Sequence, residues 1–397
     1  MDEFQLVVNR LEALTTANVE GHQDIRQRLL ASARKVVSSL ETNGEKVYDI
    51  VFQQSIVYAA LKTCLDIGLW YGWARAGGGE KSLQDLAKLT TKDCDLNVLR
   101  RFLRLLGTAN IIQETGEDRY KPTPFSLSIG DTSGSLAQAI ISKTHHWDMS
   151  HGHLPSYLAK TSYRQPEDAG NTNYSHACPE GLPLFDRSLQ NRTYQDSLRG
   201  FLVEWSKSTI PWPEFYDTVS LIGGADFSSG SPLVVDVGGI HGIDLLRLLD
   251  KHPDLPAGSL VLQDLAGVLA GTEVAMDKIT LMAHDFFETQ PIYGSRAYFF
   301  HRVFHDWPDA KADQILQNIK PAMKRGYSKL LLYEIVLPRT GASIYQASLD
   351  VGLMANLSAY ERTEAMWTKL INGAGLRIVH TWMDPGGYEG IIEVELA

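Results

Sequence analysis

Basic residues are in short supply: 37 lysines and arginines stand against 47 aspartates and glutamates, a formal net charge of −10. Nucleic acids and anionic membranes are bound through clustered positive charge, so this balance argues against both and favours small-molecule partners. No run of about eighteen apolar residues occurs, and the opening Met1-Asp-Glu-Phe4 has neither the basic nor the apolar region of a secretion signal. The expectation is a soluble, cytoplasmic protein. Cysteine is scarce too: Cys64, Cys94 and Cys178 are odd in number and scattered, and read as buried or idle thiols. With no His-Glu-x-x-His pattern and no carboxylate cluster, no metal is expected.

What is present is a strand, a glycine turn and a helix. Residues 233–237 (Leu-Val-Val-Asp-Val) form an apolar β-branched run, and Gly238, Gly239 and Gly242 follow it. Such glycines allow a tight turn and close backbone approach to a ligand, and a helix opening near Gly242 points its amides there. A second apolar run at 259–262 leads to Asp264, placed where an acid can accept two ribose hydroxyls. A tight turn in any α/β protein is the plain alternative.

At 397 residues the chain is longer than one core usually supports. Residues 4–41 carry apolar positions at helical spacing: Phe4, Leu6, Val7, Leu11 and Leu14, then Leu29, Leu30, Ala33, Val36, Val37 and Leu40. The segment 56–70 is apolar nearly all round, which fits an intersubunit helix or an ordinary core helix. Two short helical patterns at 82–89 and 95–106, then a strand–turn–strand pattern to Pro122, suggest a winged helix. DNA is disfavoured there, because the second helix offers only Arg100, Arg101 and Arg104 in an acidic chain. Residues 162–186 read as a long loop, 187–218 as helical, and 223–231 as a linker. Further strands at 279–282, 297–302 and 330–335 alternate with helices at 310–323 and 362–374, predicting an open, mostly parallel sheet. The expected organisation is α/β: a helical winged-helix domain at 1–140, linker helices and loop at 141–230, and a doubly wound, Rossmann-like domain at 231–397.

The strand 297–304 runs into His305, whose imidazole would stand at the carboxyl edge of the sheet, where a base is useful at neutral pH. Alternatively, Asp306 or Asp309 caps the next helix and His305 is merely satisfied in the turn. Glu334 lies in an apolar strand and needs a partner if buried. Glu361 fits either a first-turn helix acid or a group that orients the histidine.

Six stretches in order, Val-Val-Asp-Val-Gly-Gly at 234–239, Gln-Asp-Leu at 263–265, His-Asp-Phe-Phe at 284–287, His-Asp-Trp-Pro-Asp at 305–309, Tyr-Glu-Ile-Val-Leu-Pro at 333–338 and Glu-Arg-Thr-Glu at 361–364, resemble the S-adenosylmethionine-dependent small-molecule O-methyltransferases of the plant caffeate type and their fungal relatives. The resemblance spans most of the chain and implies a homodimer through N-terminal helices, with S-adenosyl-L-methionine as cofactor. It places Asp236, Gly238, Gly239 and Gly242 beside the methionine and ribose, and Asp264 with Leu265 at the ribose hydroxyls. Asp285 and Phe286 would flank the adenine, and His301 or Arg302 would touch the cofactor pocket. His305 becomes the general base, positioned by Glu334 and Glu361. His145, His146, Trp147, Met149, Met354 and Asn356 look like the wall of the substrate pocket. The third glycine usual in the family's turn is Ile240 here, followed by His241. Some fungal proteins of this type keep the cofactor and catalyse pericyclic or dehydration reactions, and for that alternative His145 or His146 would be the extra donor.

Overall fold

The computed structural model describes Val8 and residues 23–207, 209–270 and 278–397, so Phe4, Leu6, Val7, Leu11 and Leu14 lie outside the described residues. Two compact units are present, 1–131 and 132–397, and the stretch 141–230 belongs with the second.

In the first unit, helices Gln23–Leu40, Asn43–Tyr48, Gln54–Asp66, Leu69–Arg75, Leu83–Leu89 and Leu96–Thr108 precede an antiparallel hairpin of Ile112–Gly116 and Arg119–Pro122. Thr42, Ser82 and Asp95 start three of these helices, each accepting a backbone N–H with its side-chain oxygen. The apolar segment 56–70 divides into two faces. Ala60, Leu61, Cys64, Ile67, Leu69 and Trp70 are buried, whereas Ile56 is exposed. Upstream of it Leu30, Val37, Leu40, Ile50, Val51 and Phe52 are exposed as well.

The second unit is built on one sheet. Its strands are β1 (Val234–Val237), β2 (Leu260–Asp264), β3 (Ile279–Ala283), β4 (Ala297–His301), β5 (Lys329–Leu337), β6 (Leu376–Met383) and β7 (Glu389–Leu396), in the spatial order β6-β7-β5-β4-β1-β2-β3. β1 to β5 pair in parallel, while β7 joins β5 and β6 in antiparallel fashion. That antiparallel pair was not foreseen from the sequence. Both faces of the sheet are covered, which explains the nearly unbroken apolar runs of its strands. Tyr298, Phe300, Leu330 and Leu332 pack to one side with Trp367, and Phe299, Leu331 and Tyr333 to the other with Trp212. Each large side chain so buried contributes roughly 1.5–3 kcal/mol.

Because β1 lies between β2 and β4, the strand order reverses beside it, and the carboxyl ends of β1 and β4 border the crevice where such sheets take ligands. Five helices frame that edge: α1 (Asp148–Lys160), α2 (Arg192–Lys207), α3 (Ile243–Lys251), α4 (Asp309–Ile319) and α5 (Ile344–Leu357). The stretch 162–186, read as a long loop, contains the helix Asn173–Ala177, and Asn173 and Tyr174 are fully buried. Asn173 Nδ2 donates to the Ser150 and Ala355 carbonyls at 2.9 Å, which ties this connection to α1 and α5.

Candidate active site

The glycine turn begins where β1 ends. Gly238 has φ +77°, and a Cβ on it would meet Val303 Cγ2 at 3.0 Å and Phe286 Cε1 at 3.6 Å. At Gly239 a Cβ would sit 2.3 Å from Asp236 Oδ2, so both positions require glycine. Gly242, at φ +63°, is the residue from which α3 starts. Between them Ile240 also has a positive φ, +50°, a conformation that costs a β-branched residue roughly 1–2 kcal/mol. Its N–H donates to Asp264 Oδ2 at 3.0 Å, and Leu265 N–H donates to the other oxygen at 2.7 Å. Thus the turn and the end of β2 are locked together through Asp264. Burial lifts the Asp264 carboxyl above its ordinary range, against the pull of these two amides. We expect Ile240→Gly to leave stability unchanged or raise it by up to about 1 kcal/mol in thermal unfolding, since relieved strain offsets lost packing. A loss larger than that would contradict the strain.

His241 is engaged by α2, where Arg199 Nη2 lies 3.1 Å from His241 Nδ1. Burial, with the Arg199 charge beside it, pushes the His241 pKa down to about 4.

The residues of this cradle leave polar atoms unused. Both carboxylate oxygens of Asp236, His301 Nε2 and Arg302 Nη1 are buried without a partner. Burial, with Asp244 and Asp264 nearby, holds Asp236 well above the usual carboxylate range. His301 Nδ1 lies 2.6 Å from Asp244 Oδ2, and its ring stacks on Tyr333 at 4.1 Å. Arg302, at φ +54°, donates through Nε to Glu389 at 2.9 Å and through Nη2 to the Tyr345 hydroxyl at 2.8 Å. Phe286 stands beside the turn, while Asp285 is exposed and accepts the Phe287 N–H at 2.9 Å. Unpaired buried donors and acceptors are costly, so their collection around a glycine cradle fits a ligand carrying an amino acid group and a ribose.

A second cluster forms just past β4. His305 is buried, and its Nδ1 lies 2.8 Å from Glu361 Oε1 and 3.8 Å from Glu334 Oε2. Glu334 Oε1 accepts the N–H groups of Val303 at 3.1 Å and Phe304 at 2.8 Å, fixing the backbone that carries the histidine. Arg362 fixes the same turn from the other side: Nη1 donates to the Phe304 carbonyl and Nη2 to that of Trp307, both at 2.8 Å. The Trp205 ring lies beside the imidazole, parallel to it within 16° with the centroids 6.1 Å apart. Burial pushes the Glu334 carboxyl up to about 7 against the pull of His305, and holds Glu361 well above its ordinary range. The ligand atoms of these three residues lie within 4.8 Å of one another. Two ligands of one zinc ion stand about 3.3 Å apart, given metal–ligand bonds of about 2.0 Å, so the 2.8 Å contact is that of a shared proton. The capping alternative for Asp306 and Asp309 does not hold. Pro308 precedes α4 without a side-chain cap, and Asp309 instead accepts from Arg362 Nε at 3.0 Å.

The expected substrate residues fall into two groups. His146 is fully buried, with Nδ1 2.9 Å from the Tyr174 hydroxyl and Nε2 3.1 Å from the Tyr194 carbonyl. Burial lowers its pKa to about 4, so the residue serves the packing between α1 and α2 as a neutral ring. His145 Nδ1 lies 2.9 Å from Ser197 Oγ. Trp147 and Met149 are half-buried against Leu353 and Leu357 of α5, and Met354 is half-buried on the same helix. Asn356 is buried with Oδ1 unpartnered, while its Nδ2 donates to the Gly352 carbonyl at 2.7 Å. Trp205 and Tyr345 were missed in the sequence, where nothing separates them from ordinary aromatic residues, and Arg362 was given no role although it stands in the Glu-Arg-Thr-Glu stretch. Asp306 had a signal, its place in His-Asp-Trp, but its one reading there was as an alternative cap.

Comparison with known proteins bears on this arrangement. Residues 218–377 match the O-methyltransferase domain family. The O-methyltransferase ATR12 of Stachybotrys chlorohalonatus is 43% identical over 98% of both chains, and the O-methyltransferase mfmE of Annulohypoxylon moriforme is 32% identical over 97% of this chain and 95% of its own. Among solved structures, LepI in complex with SAM superposes with a TM-score of 0.90 over 100% of both chains. OxaC in complex with SAH and oxaline superposes with 0.80 over 100% of this chain and 98% of its own. Both are 24% identical and share the fold.

Proposed function

The chain belongs to the O-methyltransferase family, and from that premise we propose that it methylates a hydroxyl of a small aromatic or polyketide-type secondary metabolite, with His305 as general base. S-adenosyl-L-methionine is its cofactor and supplies an electrophilic methyl group when bound. Asp236, Gly238, Gly239, Gly242, Asp264, Leu265, Asp285, Phe286, His301 and Arg302 are the residues that would hold it.

The observation that carries the reading is the 2.8 Å contact of His305 Nδ1 with Glu361. With that nitrogen held, Nε2 is left to take the proton of the acceptor hydroxyl. A phenol has a pKa near 10 and is rarely ionised at neutral pH, so a base that removes its proton matters to the rate. Glu361 and Glu334 stabilise the imidazolium so formed and keep its ring in place. Trp147, Met149, Met354 and Asn356 would wall the acceptor. For the cofactor-retaining alternative His146 is a poor donor, because both its nitrogens are engaged by the chain itself, and that alternative would turn on His145. Incubation with methyl-labelled S-adenosylmethionine and a fungal extract of hydroxylated metabolites tests the reaction, and label in a metabolite is the expected outcome.

The partner of the first unit would be a second copy. Leu30, Val37, Leu40, Ile50, Val51 and Phe52 are large apolar side chains exposed within a short stretch of chain, more than a soluble monomer usually leaves uncovered. Light scattering at micromolar concentration should give twice the 44.1 kDa chain mass, and Val51→Glu with Phe52→Glu should halve it. A single-chain mass for the unaltered protein would refute the pairing.

A further inference from the structure

Methylation of a hydroxyl releases one proton per turnover, and on the reading above that proton is left on His305 Nε2. Where it goes next is a structural question, because the base is closed in. The His305 side chain is 2% exposed, and Glu334 and Glu361 are 0% exposed. Neither glutamate can hand a proton to water. Nδ1 is held by Glu361, and the Trp205 ring lies nearly parallel beside the imidazole.

Asp306 differs from the other two acids. Its Oδ1 lies 3.4 Å from His305 Nε2, the nitrogen that receives the proton, and its side chain is 20% exposed. It also lines a cavity of about 220 Å³ whose wall includes Gly170, Phe185, Asp186, Trp307 and Lys311. From these positions we propose that Asp306 is the proton exit of the site: it receives the proton from His305 Nε2 and passes it to water in this cavity.

The proposal rests on the general-base reading of His305. In the first step the Nε2–H bond breaks and an O–H bond forms on Asp306, so imidazolium and carboxylate become imidazole and carboxylic acid. In the second, the Asp306 O–H proton moves to a water molecule and the carboxylate is restored. No other reactant is required. A relay group works best when its pKa lies near the working pH. Burial raises Asp306, the His305 charge lowers it, and Glu334 and Glu361 raise it further, leaving it at about 7. Lys311 and Asp186 face it across the cavity, and Arg362 holds the turn it stands on.

The test compares Asp306→Asn, which keeps the shape and cannot relay a proton, with Asp306→Glu. Exchange of the His305 ring proton with water, followed by NMR on protein labelled at histidine nitrogen, needs no acceptor. It should slow at least 10-fold in Asp306→Asn and recover with added formate. With an acceptor found in the label assay, kcat should fall about 10-fold or more at unchanged KM, and the solvent deuterium effect should grow. The dependence of kcat on pH near 7 should flatten in Asp306→Asn and persist in Asp306→Glu. If Asp306→Asn does not fold, Asp306→Ser with formate gives the same readings. Unchanged exchange and unchanged kcat, in a protein that His305→Ala inactivates, would overturn the relay alone. Full activity in His305→Ala would instead remove the reading beneath it.

Discussion

His305→Ala is expected to lower methyl-transfer turnover by about 10²–10⁴ while cofactor affinity stays within about two-fold, the pattern for loss of a general base. The size of the effect follows from what surrounds the ring. Glu361 holds Nδ1, Glu334 pins the Val303 and Phe304 amides, Arg362 pins the Phe304 and Trp307 carbonyls, and Trp205 lies beside the ring. Four groups therefore converge to hold one imidazole, and a water in its place would have neither the basicity nor the position. The imidazole itself makes no hydrogen bond to the glycine turn, and His305→Ala leaves Glu334 and Arg362 to hold the backbone there, which is why binding should survive. The checks are kcat at saturating cofactor and calorimetric titration of S-adenosylmethionine, with His305→Asn as a companion that fills more of the cavity. Turnover within two-fold of the unaltered enzyme would remove His305 from its role.

Asp264→Ala should show the opposite signature, weaker cofactor binding by about 10²-fold with turnover at saturation largely kept. In the structure the carboxylate bonds the Ile240 and Leu265 amides and stands at the end of β2, leaving lone pairs for two ribose hydroxyls. Hydrogen bonds to a charged group are worth about 1.5–3 kcal/mol each, and losing two at the low end gives the quoted factor. Asp264→Asn, which keeps one acceptor, should lose about 10-fold. Titration of the cofactor measures both, and retained affinity in Asp264→Ala would undo the ribose assignment.

The parallel strands were legible because each is buried on both faces and so appears as a continuous apolar run, as at 233–237 and 297–300. Asp264 and Glu334 stood out because an acid inside or at the end of such a run needs a reason, whereas Asp236 was reached only through the family resemblance. The pair β6 and β7 escaped notice: β6 buries only Leu376, and its register shifts between Ile378 and His380, so it has no continuous apolar run like those of the central strands. Composition gave a long loop at 162–186 but not the helix Asn173–Ala177 within it, where Asn173 is buried and its amide bonds two carbonyls of neighbouring helices. His146 shows the same limit, for a histidine beside a tryptophan looks like a ligand-binding pair until its two hydrogen-bond partners from distant segments are seen. Periodicity reports which face is buried, not what meets it. Trp205 and Asp306 act through neighbours that only folding supplies.

The central claim is that a methyl group leaves the cofactor for an acceptor oxygen, and the most direct measurement counts the two products together. Purified protein incubated with methyl-labelled S-adenosylmethionine and candidate hydroxylated metabolites should yield one S-adenosylhomocysteine per labelled ether. A metabolite that is isomerised or dehydrated in the presence of the cofactor, with no label moved and no S-adenosylhomocysteine formed, would contradict the account.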